Sequence, residues 1–135
     1  WLAEHAPVAL QPPVQTPLIA QDLAALGLGL PSAAAPFRMA NEGAGEALGA
    51  AWVLAGSALG NKAILKQMRR ASAADGEDWP AAFLGDEAML AFWQALRARL
   101  EQPASAAQSA AAAETARAVF AHFIAHAQDA GGVAA

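Results

Sequence analysis

The sequence predicts an all-α fold, a single-domain bundle of helices. Three observations carry this. Alanine dominates the chain and tyrosine is absent, which favours helix over sheet. Residues 43–70 form a long stretch without proline, and four interior glycines, Gly45, Gly49, Gly56 and Gly60, fall within roughly 60° of one another on a helical wheel. Finally, 135 residues of which 56% are hydrophobic and 15% charged suit one domain built around one core.

Taken in order, residues 1–17 are mixed. Trp1, Leu2 and Val8 read as the tail of an earlier helix, which Pro7, Pro12, Pro13 and Pro17 then break into a loop. The chain begins at Trp1, without methionine, and reads as residues 1–135 of a domain lacking its N-terminal helix. The first clear helix is expected over residues 16–27, with Thr16 as N-cap, Pro17 in the first turn and Gly27 as the stop. Its apolar face is Leu18, Ile19, Leu23 and Leu26.

A linker with two prolines follows at 29–36, and Phe37-Arg38 leads into the long helix. That helix has Glu42 and Glu46 at its start and Lys62, Lys66, Arg69 and Arg70 at its close, the order the helix dipole favours. Each interior glycine costs about 1 kcal/mol relative to alanine. A glycine stripe therefore asks for something flat or bulky against the backbone, either another helix or a ligand.

A polar loop is expected at 72–78, with Trp79, Pro80 and Phe83 plugging the core from it. Asp86 caps a helix to about residue 102, with Met89, Trp93, Leu96 and Leu100 as its core stripe and Pro103 closing it. The last helix is expected over 105–129, with Ala113, Ala116, Phe120, Phe123, Ile124 and Ala127 facing the core and Gly131-Gly132 after it.

The formal charge of −4 and the lack of a basic stripe interleaved with aromatics argue against nucleic acid. The absence of cysteine excludes disulfides, thiolate metal sites and cysteine nucleophiles. The longest uncharged apolar run, 47–61, is short of the roughly 20 residues a membrane span requires, so no span is expected. His122 and His126 have the i, i+4 spacing of a metal pair, but no Glu-x-x-His sequence accompanies them; read alone they are a polar helix margin, and the metal ligand is left unknown.

Residues 54–61, Leu-Ala-Gly-Ser-Ala-Leu-Gly-Asn, resemble the distal-helix motif of bacterial heme oxygenases, roughly V-x-E-G-S-x-L-G-G. The match lies at Gly56, Ser57, Leu59 and Gly60; Ala55 replaces the usual glutamate and Asn61 a second glycine. Three further segments are similar to that family, in its order. They are residues 16–27 with Asp22-Leu23 and Leu26-Gly27, the segment around Trp93 and Leu96-Arg97, and Ala116-Arg117 with Phe120.

The resemblance implies a heme oxygenase-like helical bundle in the cytoplasm. Its implied activity opens heme oxidatively to biliverdin, iron and carbon monoxide, with dioxygen and electrons from an external donor, a reductase or ferredoxin. It implies that Gly56 and Gly60 press backbone onto the heme face and that Ser57 faces the distal water network. Arg97 and Arg117 are the implied propionate contacts. The family's proximal histidine lies upstream of what Trp1 matches, so His5 does not inherit that role. A thiamine-degrading branch of the same fold needs a cysteine that this chain lacks. The alternative expectation is a non-catalytic heme-binding or helical interaction relative of the same fold.

Overall fold

The computed structural model describes residues 1–131 of the 135-residue chain; Gly132, expected beyond the last helix, lies outside them. Every regular element in that range is helical: α1 (Leu2–His5), a 3-10 turn (Val8–Leu10), α2 (Thr16–Ala25), α3 (Ala44–Asp75), α4 (Glu87–Leu100) and α5 (Ala106–Gly131). The all-α expectation holds. Internal contacts divide the chain into two compact units. One comprises residues 1–11, 33–54 and 96–135, the other residues 12–32 and 55–95. Both α3 and α4 contribute residues to each unit.

The first unit is built on the glycine half of α3. Gly45 and Gly49 lie against the backbone of α5. A methyl group on Gly45 would stand 2.8 Å from the Gln108 carbonyl oxygen and 3.1 Å from the Ala111 Cβ, and one on Gly49 would overlap the Ala112 carbonyl. Hydrogen is the only side chain that permits this approach. The seam continues with Ala47, Ala50, Ala51 and Val53 on α3 and Thr115, Ala116 and Val119 on α5, all buried. Leu10, from the 3-10 turn, is fully buried in this core, and Leu2 and Leu96 are buried with it.

This seam corrects the apolar face expected for the last helix. Of the six residues assigned to that face, Ala116 is buried, while Phe120, Phe123 and Ile124 are about half exposed and Ala113 and Ala127 are exposed. The buried face is Thr115, Ala116 and Val119, with Ala112 half-buried beside them, rotated away from the aromatics. A helix that must touch glycine backbone presents its small residues, and the large ones turn outward.

The second unit gathers α2, the C-terminal part of α3 and the first turns of α4 around Ala55, Ala58, Leu65 and Met89. Two polar ties join its pieces. The Asp22 carboxylate accepts the backbone N–H of Ala82 at 2.8 Å and of Phe83 at 2.9 Å. The Gln15 amide donates to Asp86 at 2.9 Å.

Local signals are partly as expected. Gly27 ends α2 with φ of 70°, and Asp86 caps α4 by accepting the Ala88 N–H at 2.9 Å. Thr16, however, is the first helical residue and makes no cap bond; Gln15 precedes it. On α2, Leu18 and Leu23 are half-buried and Ile19 and Leu26 exposed, because this short helix is held by Asp22 and Gln15 more than by an apolar face. The long helix runs past Arg70 to Asp75, since residues 71–74 are good helix formers, and stops at Gly76 with φ of 71°. Trp79 is 42% exposed and does not plug the core, although Phe83 is half-buried. On α4, Met89 and Leu96 are buried and Trp93 half-buried, but Leu100, in the last turn, is exposed. By length and composition α3 is apolar enough to cross a membrane, as core helices of soluble proteins also are.

Candidate functional site

The candidate site is one turn of α3. Helical periodicity places Gly56, Ser57 and Gly60 next to one another, all in the second unit. The glycine stripe divides at this point. Gly45 and Gly49 are buried against α5, whereas Gly56 is half-buried and Gly60 exposed. A Cβ on Gly56 would reach only the Trp93 ring, at 4.0 Å. A Cβ on Gly60 would meet nothing within 4 Å. Protein packing thus accounts for the first pair and not for Gly60, where the backbone is open to whatever approaches. Ser57 is exposed on the same turn.

Ala55, which stands where the motif that residues 54–61 resemble has glutamate, is fully buried in the second unit's core. Ile64, one turn beyond Gly60, is 52% exposed, and Leu59 is 53% exposed, so the open backbone is bordered by exposed aliphatic carbon.

Arg97 and Arg117 belong to the first unit. The Arg97 guanidinium pairs with Glu101 one turn on, at 3.6 Å, with both side chains largely exposed. Arg117 is exposed and makes no ion pair among the described residues.

Three grooves flank these elements without including Gly56, Ser57 or Gly60. Two lie in the second unit. One, of about 520 Å³, is lined by Lys62, Lys66, Arg69 and Arg70 over Leu65 and Leu84. The other, of about 530 Å³, is lined by Met68, Arg69, Glu77, Asp78 and Trp79. The third, about 310 Å³ in the first unit, lies between Gly45, Leu48, Arg99 and the start of α5. No set of three histidine, aspartate or glutamate side chains is grouped for metal binding among the described residues.

The histidines cluster in the first unit. His5 Nδ1 lies 3.2 Å from Glu42 and its Nε2 3.6 Å from Glu4. The Trp1 ring packs on His5, and its other neighbour, Phe37, meets His122 edge-on with centroids 5.5 Å apart. Sequence reasoning did not foresee this aromatic chain. Its members are distant in sequence, and only Phe37, an isolated aromatic after a proline linker, hinted at an anchoring role.

No family model matches this chain, and comparison with curated proteins and with solved structures returns no match. The family resemblance therefore rests on the four sequence segments.

Proposed function

We propose that this chain binds heme against the open turn of α3 and acts as a heme oxygenase, releasing biliverdin, iron and carbon monoxide. The observation that carries the reading is the split stripe: Gly60 keeps its backbone bare where no atom of the described residues requires it. A flat macrocycle is the kind of ligand that uses bare helix backbone, and the exposed Leu59 and Ile64 offer apolar carbon beside it. Arg97 and Arg117, in the first unit, are the cations that the resemblance implies for the two carboxylates. The heme itself supplies the redox chemistry; the chain supplies orientation and shielding, and a reductase or ferredoxin supplies electrons. Ser57, exposed on the same turn, would order water on the distal side. None of the assigned residues is an axial ligand to the iron.

The test is titration with ferric heme. A saturable Soret change at one equivalent, lost in Gly60→Leu, supports the reading, followed by biliverdin formation under a supplied reductase. Unchanged binding and turnover in Gly60→Leu removes it.

A second reading is a relative of the same fold without catalysis. The fully buried Ala55 favours it, since no carboxylate is available at that position. Heme binding without biliverdin formation selects this reading, and no heme binding leaves a helical interaction module.

A further inference from the structure

We propose that His122 and His126 form a two-imidazole chelate for a divalent transition-metal ion such as Cu(II) or Ni(II). The proposal is independent of the heme reading and lies on a different element, α5 of the first unit.

The two rings are one helical turn apart, with centroids separated by 4.4 Å and planes at 80°. Both side chains are half-buried and neither makes a hydrogen bond or ion pair among the described residues, so their nitrogens are uncommitted. His122 is steadied from outside the helix by the edge of Phe37, and Phe123 packs beside it. This ordering lowers the entropy lost when an ion is bound.

The separation suits chelation. A metal–imidazole bond of about 2.0–2.1 Å puts each ring centroid about 3.2 Å from the ion. Two rings bonded to one ion at a right angle then stand about 4.5 Å apart, and at the tetrahedral angle about 5.2 Å. The observed 4.4 Å is close enough for both rings to reach one ion. Imidazole suits Cu(II), Ni(II) and Zn(II), and Cu(II) heads the general affinity order. Rotation about χ2, which is soft for histidine, turns one nitrogen of each ring toward a common point.

The site is bidentate. No third histidine or carboxylate joins the pair among the described residues, and His5 is held by Glu4 and Glu42. Water completes the coordination, so the ion is exchangeable and does not hold the fold together. A bound ion bridges consecutive turns of α5 and stiffens that helix.

The experiment titrates the protein with Ni(II) and Cu(II) by calorimetry, beside His122→Gln, His126→Gln and His5→Gln. Helicity is checked by circular dichroism. One equivalent should bind. Each of the first two substitutions should weaken it by about a hundredfold, the low end of what linking two weak sites contributes, and His5→Gln should leave it unchanged. Cu(II) electron paramagnetic resonance of the unaltered protein should show coupling to two nitrogens, a readout that needs no variant. Retention of full affinity in either His122→Gln or His126→Gln overturns the chelate, as does a Cu(II) spectrum with a single nitrogen or a dependence on His5.

Discussion

The glycines of α3 separate two roles that look alike in sequence. At Gly49 any side chain meets the Ala112 carbonyl, so Gly49→Ala should destabilise the protein by about 1–3 kcal/mol, the usual range for overpacking. Gly60→Ala meets nothing and removes a helix penalty, so it should stabilise by about 1 kcal/mol. Urea denaturation of both variants, without heme, reads the two signs. A destabilised Gly60→Ala would mean that its backbone is packed against protein after all. Thr115 makes the converse case. Its side chain is fully buried and its hydroxyl has no partner among the described residues, so Thr115→Val keeps the shape and removes a desolvated polar group. An increase of about 1–2 kcal/mol is expected, and a loss would reveal a hydrogen bond to the hydroxyl. Arg97→Ala and Arg117→Ala should each weaken heme by a few-fold, as exposed ion pairs do, with little change in stability. Equal affinity in both variants would return these residues to the solvated surface.

Among the elements, α2 is tied down by the carboxylate of Asp22 as well as by Gln15. Asp22 holds the N–H groups of Ala82 and Phe83, a charge-assisted pair of bonds that ties α2 to the loop before α4. Asp22→Ala should accelerate amide exchange at Ala82 and Phe83 and cost about 2 kcal/mol, whereas Asp22→Asn should recover part of this. Unchanged protection would mean the loop is fixed by Phe83 instead. Such ties explain what sequence could and could not show. The stop at Gly27, the cap at Asp86 and the glycine stripe are local signals and were readable. The role of Asp22 depends on residues about 60 positions away, and only the fold brings them together. The buried face of α5 was unreadable for a different reason: in an alanine-rich helix every face is weakly apolar, and the aromatics pointed to the wrong one. What identifies the right face is the partner, because glycine backbone accepts only small residues.

For the whole molecule, the bundle class followed from composition, but the division into two units did not. Both units draw on the same long helices, so no linker or change of composition marks the boundary. The candidate site was legible as a motif and only half legible as a surface, since Gly45 and Gly49 share the stripe with Gly56 and Gly60 while serving a helix contact. The heme reading carries one prediction at this scale. His5 is held by Glu4 and Glu42, and neither His122 nor His126 is assigned to the iron, so changing His5, His122 and His126 to alanine one at a time should leave the ferric heme spectrum unaltered. Loss of a histidine-ligated spectrum in any one of them would identify the axial ligand there.

The seam between α3 and α5 also bears on how stability varies with temperature. Glycine and alanine bring backbones together while hiding little carbon, and seven of the fourteen buried hydrophobic residues among those described are alanines. The heat capacity of unfolding tracks newly wetted apolar area, so this chain should fall below the usual ~12–15 cal/mol/K per residue. Its stability curve should accordingly be broad and shallow, losing little on cooling and melting over a wide interval, and scanning calorimetry would show it.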